Sequence, residues 1–132
     1  MYNFLHMKTG KHTVLIVEDE ATMANTMSDA LTNEGFETFI AVDGEQGLKM
    51  ALEKHPDLIL TDLNMPNMDG LAMIHGIRKD DWGKDVEIIS LTNVSDVAAL
   101  ETAMSEGTFY YMVKSDVSLA DIVTKVKSRL LK

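Results

Sequence analysis

The sequence predicts an α/β fold, a doubly wound parallel sheet built from (βα)5. Three observations predict it. Short apolar runs alternate with segments of helical period along nearly the whole chain. Alternating strand and helix give a parallel sheet with helices on both faces. The runs at 13–18, 57–62 and 86–92 are nearly continuous in apolar residues, as strands covered on both faces are.

The first strand is read at 13–18, where Val14-Leu15-Ile16-Val17 leads into Glu18-Asp19. The helix at 21–34 puts Ala24, Met27 and Leu31 on one face and stops at Gly35, a favourable residue after a helix end. The second strand, 36–42, alternates Phe36, Thr38 and Ile40 against Glu37, Phe39 and Ala41, which suits a sheet edge. Asp43 caps a helix at 44–54, with Gln46 three positions on as its capping-box partner. Leu48, Ala51 and Leu52 form its apolar stripe and Pro56 closes it. The third strand is 57–62. The third helix, 70–79, turns Leu71, Ile74 and Ile77 inward. A strand at 86–92 and a helix at 95–106 ending at Gly107 follow. A strand at 109–114 and a helix at 119–131, with Leu119, Ile122, Val126 and Leu130 inward, complete the pattern.

Five parallel strands commonly take the open order 2-1-3-4-5, the flavodoxin-like arrangement, in which ligands bind beyond the carboxyl ends of the strands where the order reverses. That point lies between the first and third strands, which end in Glu18-Asp19 and Asp62. Three carboxylates then meet in one crevice. At roughly 4 Å and an effective dielectric near 20, each pair repels by about 4 kcal/mol. A hard divalent cation is the simplest reason for such a cluster, and carboxylate oxygens suit Mg2+. Thr92 and Lys114 end the fourth and fifth strands at the same edge. An ammonium beside an Asp keeps it ionised, and a carboxylate can attack phosphorus to form an aspartyl-phosphate. The metal and Lys114 would offset charge on the phosphoryl oxygens, and Thr92 would donate a hydrogen bond to one of them. The chemistry predicted is phosphoryl transfer to Asp62.

Composition narrows the classes further. A chain of 132 residues predicts one domain, taken as 13–132, with 1–12 an irregular extension or an expression-vector remnant and Met7 an alternative start. A net charge of −9 argues against nucleic acid or an anionic membrane surface as a direct partner. The absence of cysteine excludes disulfides and thiolate metal sites. No apolar stretch approaches the ~18 residues of a membrane span, and no secretory leader is visible, so a cytoplasmic protein is expected.

The segments 14–20 (VLIVEDE), 57–70 (DLILTDLNMPNMDG), 88–92 (IISLT) and 111–114 (YMVK) resemble those of bacterial response-regulator receiver domains of two-component systems, the single-domain chemotaxis regulators among them. The resemblance runs from about Thr13 to the C-terminus. It implies that Asp62 is the phosphoacceptor, that Glu18, Asp19 and Asp62 hold Mg2+ with the Asn64 backbone carbonyl, and that Thr92 and Lys114 stabilise the phosphoryl group. It also implies that Thr92 and Tyr111 are the switch residues and that the donor is a phosphohistidine on a sensor histidine kinase or histidine phosphotransfer protein. Three positions depart from the family pattern. Glu18 is longer than the Asp often found there. Asn93 follows the threonine where Ala or Gly is usual. Ser115 follows Lys114 where the family has Pro in a cis bond. A cis bond without proline costs about 3–4 kcal/mol, against about 0.5–1 with it, so the loop is either strained or follows another path.

Other readings compete. Asp43, Asp57 and Asp69 are read as turn formers or helix caps. His6, His12, His55 and His75 share no metal-ligand spacing and are read as surface residues. Thr9-Gly10-Lys11 lacks the upstream glycine of a phosphate loop. Phe109 and Tyr110 are read as core and rim. Lys125, Lys127, Arg129 and Lys132 are read as complementing the last helix's dipole. Aspartate-dependent phosphatases of the haloacid-dehalogenase type need a second Asp two residues after the first as acid–base. Asn64 stands there and cannot shuttle a proton, so a slowly turning-over switch is preferred to a hydrolase. A pseudo-receiver, an interaction module working without phosphorylation, is the alternative. If the chain is the whole gene product, its output is expected at a protein surface built from the fourth helix, fifth strand and fifth helix.

Overall fold

Parallel strands β1 (Thr13–Val17), β2 (Glu37–Ala41), β3 (Leu58–Asp62), β4 (Glu87–Thr92) and β5 (Tyr110–Val113) form one sheet in the order β2-β1-β3-β4-β5. They alternate with helices α1 (Ala21–Asn33), α2 (Gly44–Lys54), α3 (Gly70–Lys79), α4 (Val97–Ser105) and α5 (Leu119–Leu130). This is the flavodoxin-like α/β order expected from the sequence. The structure, a computed structural model, describes residues 10–63, 65, 67–92, 97–105, 107 and 110–131.

Side-chain alternation along the strands divides the core into two layers. Val14 and Ile16 of β1, Leu58 and Leu60 of β3, and Ile89 and Leu91 of β4 pack with Ala24, Met27 and Leu31 of α1 and Ile122 and Val126 of α5. Leu15, Val17, Ile59 and Ile88 point the other way, onto Ala51 of α2, Met73, Ile74 and Ile77 of α3, and Ala103 of α4. Burying each large aliphatic side chain contributes about 1.5–3 kcal/mol, so these layers supply most of the drive to fold.

Local chemistry sets the helix ends. Gly35, at φ +96°, lets its own amide reach Thr32 O and the Phe36 amide reach Leu31 O, which satisfies the carbonyls ending α1. Asp43 accepts from the Gln46 amide at 2.8 Å, while the Gln46 side chain accepts from Val42 N, one residue earlier than a capping box requires. Asp69 caps α3 through the Ala72 amide, and Ser118 and Asp121 form a reciprocal capping box on α5. Asp57 accepts from the Thr13 amide at 2.7 Å and ties the starts of β3 and β1 together.

Several expectations need correction. Leu52 is 39% exposed and Leu119 37% exposed. The close approach of α2 to the sheet is instead made by Gly47 and Ala51, because Gly47 abuts Val17 and Met73 with no room for a side chain, while Gly44 is buried against the Met68 and Asp69 carbonyls of the loop after β3. His12 is half-buried rather than superficial and lies 3.7 Å from Asp57. Arg129 does more than complement a dipole. It forms a two-pronged pair with Glu87 at 2.8 and 3.1 Å and lies over the Tyr110 ring, and Lys127 pairs with Glu34. A short 3-10 turn, Trp82–Lys84, follows α3, and His55 stacks on Trp82. No cis peptide bond occurs among the described residues, so the Lys114–Ser115 link is trans. The expectations for His6, Thr9, Asn64, Asn93, Phe109 and Lys132, and for the first residues and last residue of the fourth helix (95, 96 and 106), lie outside the described residues, as does most of the 1–12 segment.

Candidate functional site

Register places the acids. Val17 pairs with Thr61, so Glu18, one residue beyond β1, stands level with Asp62 at the end of β3. The ladder carries on past the strand end: the Glu18 amide donates to Ala41 O at 3.0 Å. Parity then selects the face. Glu18 continues the side of Val14 and Ile16, Asp62 that of Leu58 and Leu60, and Lys114 that of Tyr110 and Met112, all toward α1 and α5. Thr92 follows Ile88, toward α3 and α4, and Tyr111 pairs with Ser90 on that same side. The acids with Lys114, and Thr92 with Tyr111, therefore lie on opposite faces of one sheet edge.

Oxygen atoms of Glu18, Asp19 and Asp62 all lie within 4.8 Å of one another. Glu18 and Asp62 are almost fully buried, and Asp19 is open to solvent. Lys114 Nζ donates to Asp62 Oδ2 at 2.8 Å and to Glu18 Oε1 at 3.1 Å. The second Glu18 oxygen accepts from the Glu20 amide at 3.1 Å. Burial holds the Glu18 carboxyl above its ordinary value, against the lowering effect of the Glu20 amide and Lys114. Burial also lowers the Lys114 ammonium, but the hydrogen bonds to Asp62 and Glu18 outweigh it and raise it.

Among the described residues, three carboxylates against the Lys114 ammonium leave two formal negative charges, which one divalent cation matches. The donors are all oxygen and one side is open, which suits a cation that keeps several waters. The triad could thus hold a metal. Thr92 is buried at the same edge, and Tyr111 is 45% exposed.

Sequence reasoning missed one feature beside this pocket. Asn67 has φ +63° and donates from Nδ2 to Asp43 Oδ2 at 3.0 Å, joining the loop after Asp62 to the start of α2. The signal was present: Asn tolerates the left-handed conformation and is common in turns after proline, and Pro66 precedes it.

Residues 14–127 match the family model described as the response regulator receiver domain. The chain belongs to that family. It is 36% identical over 117 residues to the transcriptional regulatory protein PrrA of Mycobacterium tuberculosis, covering 89% of this chain and 49% of that protein. It is 32% identical over 124 residues to the DNA-binding response regulator MtrA of the same organism, covering 94% of this chain and 53% of that one. The chain spans about half the length of these curated relatives. Among solved structures, the chemotaxis response regulator CheY4 of Vibrio cholerae superposes with a TM-score of 0.83 at 25% identity, covering 91% of this chain and 99% of that one.

Proposed function

We propose that this receiver domain is a phosphorylation-operated signalling switch in which Asp62 accepts a phosphoryl group from a histidine kinase or histidine phosphotransfer protein. The observation that carries the reading is the contact of Lys114 with Asp62 and Glu18 across a nearly buried acidic pocket. Glu18, Asp19 and Asp62 would hold Mg2+, together with the carbonyl of Asn64, which lies outside the described residues. When bound, the metal supplies positive charge against the phosphoryl oxygens. Asp62 attacks phosphorus through a carboxylate oxygen, the phosphorus–nitrogen bond of the donor breaks with its electron pair going to the imidazole nitrogen, and the ring leaves neutral because its other nitrogen already carries a proton. Lys114 offsets charge on the transferred group, and Thr92 donates a hydrogen bond to it.

Receiver domains are typically not turnover enzymes, and no acid–base Asp stands two residues after Asp62, so the acyl phosphate is expected to hydrolyse slowly. The output face is built from α4, β5 and α5, where Tyr111 is exposed. Receiver domains are usually cytoplasmic, and the same place is proposed for this switch; among the described residues no helix is long and apolar enough to cross a membrane. The net charge of −9 supports a protein rather than a nucleic acid as the direct partner of this segment.

The test is intact-mass analysis after incubation with a small-molecule phosphodonor and Mg2+. One phosphoryl group is expected on the native chain and none on Asp62→Asn or after chelation. Undiminished labelling of Asp62→Asn would overturn the assignment, and failure of the native chain to label would favour a module that works without phosphorylation.

A further inference from the structure

The loop that leaves Asp62 is fastened at both ends. At its base the Gly70 amide donates to Leu63 O at 3.1 Å. Gly70 lies so close to Asp62 that an added Cβ would stand 2.3 Å from the Asp62 carbonyl oxygen. At its far end the loop meets α2. The Gly44 amide donates to Met68 O at 2.8 Å, and a Cβ on Gly44 would stand 2.1 Å from that same oxygen. Beside it Asp43 divides its carboxylate: Oδ1 caps α2 through the Gln46 amide, and Oδ2 accepts from Asn67 Nδ2 at 3.0 Å. Only glycine permits both backbone approaches. Close contacts thus tie the start of α2 to Asn67 and Met68, and the backbone leads on from there to Gly70, which packs against Asp62.

We propose that Asp43 and Asn67 are positioning residues, forming a clamp through which the start of α2 fixes the Asp62 loop and thereby sets the metal affinity of the acidic pocket. The inference rests on the reading of that pocket as a Mg2+ site. Mg2+ demands nearly ideal octahedral geometry, so a small displacement of one carboxylate costs affinity. Partners hydrogen-bonded to a metal ligand typically hold tenfold or more of the affinity, and here the loop backbone would carry the effect of the clamp to Asp62. The clamp is exposed and bonds the loop to a neighbouring element, so it adds little to global stability.

Two substitutions separate the clamp from the fold. Asn67→Gly removes the amide but keeps a residue suited to positive φ. Asp43→Ser keeps a good helix cap but is too short to reach Asn67 as well. Asp43→Asn keeps the cap through Oδ1 and, with the Asn67 amide turned over, donates from its Nδ2 to Asn67 Oδ1. Mg2+ binding is measured calorimetrically on the full chain, with metal-free melting as the second readout.

Asn67→Gly and Asp43→Ser are expected to weaken Mg2+ binding about tenfold, the double variant no more than either alone, and Asp43→Asn to restore it. Metal-free melting of Asn67→Gly should stay within about 2 °C of the native chain. Native-like Mg2+ affinity in Asn67→Gly, within about twofold, overturns the clamp and leaves the metal site standing. Additive losses in the double variant also overturn it, because the two residues would then act separately. Absence of Mg2+ binding by the native chain overturns the pocket reading, and the clamp with it.

Discussion

The Lys114 ammonium lies 2.8 Å from Asp62 Oδ2, although β4 stands between the strands that carry the two residues. Two strand spacings come to about 10 Å, and the four-carbon stem of lysine bridges much of that span. Lys114→Ala would remove the ammonium that Glu18 and Asp62 share. The side chain of Lys114 is 21% exposed, so the cost falls below the ~3–5 kcal/mol of breaking a fully buried pair. A loss on the order of 1–3 kcal/mol in metal-free denaturant unfolding is expected. Unchanged stability would mean that the contact contributes nothing to the resting fold.

Metal should stabilise what Lys114 leaves uncompensated. A ligand that binds the native chain and not the unfolded one raises stability by about 2.7 kcal/mol at a hundredfold excess over Kd. Millimolar-range Mg2+ should therefore raise the melting temperature of the native chain. In Asp19→Ala that dependence should vanish, while metal-free stability stays level or rises as repulsion is relieved. A melting temperature indifferent to Mg2+ in the native chain would count against the site.

Acid stability should follow the helix caps. Hydrogen bonds from the Ser118 backbone and side chain hold Asp121 below its ordinary carboxyl value, and the Gln46 amide and Asn67 do the same for Asp43. Between the folded and unfolded values the unfolded chain binds more protons, so stability rises with pH there. The contribution is complete above about 3.9 and is lost as pH falls through the folded values. Glu18 acts in the opposite sense: burial raises it, so stability falls as pH climbs above its ordinary value. Metal-free unfolding of Asp121→Asn between about pH 2 and 5 should lose less on acidification than the native chain. Equal slopes would show that the cap charge is not linked to folding.

Periodicity and burial disagree at two leucines, and stability can separate them. Leu60 is wholly buried between layers, so Leu60→Ala should cost about 2–5 kcal/mol. Leu52→Ala and Leu119→Ala should stay within about 1 kcal/mol, because both side chains are more than one-third exposed. A core-sized loss at Leu52 would restore it to the apolar stripe read from sequence.

Those leucines also show where the sequence stops being legible. Strand order could be read because buried parallel strands carry a continuous apolar signature and the acids mark the ends of two of them. The helical faces of α1 and α3 could be read because their apolar residues recur at three and four. The face of α2 could not, since its approach to the sheet depends on the absence of a side chain at Gly47, and a hydrophobic pattern does not register an absence. The meeting of Lys114 with the acids was legible as a shared edge, but the sharing of one ammonium by Glu18 and Asp62 depends on strand parity and register. The Arg129–Glu87 pair and the Asp43–Asn67 clamp join distant segments that no local spacing connects.

The switch makes the last prediction. Phosphorylation would add about −1.5 to −2 charges and three acceptors at Asp62. Thr92 and Tyr111 share the sheet face opposite the acids, so a shift of Thr92 toward the phosphoryl oxygens would open space on the Tyr111 side. Tyr111, now 45% exposed, would fill it. Moving a population from 1:99 to 99:1 needs about 5.5 kcal/mol of differential binding. One hydroxyl hydrogen bond and one partly exposed ion pair approach that figure without greatly exceeding it, so the inward state should already be sampled before phosphorylation. Amide chemical shifts with and without a beryllofluoride phosphate mimic measure this. Thr92, α4 and Tyr111 should move together with Asp62, along the line joining the two states. If only residues around Asp62 respond, the domain accepts phosphate without switching by this route.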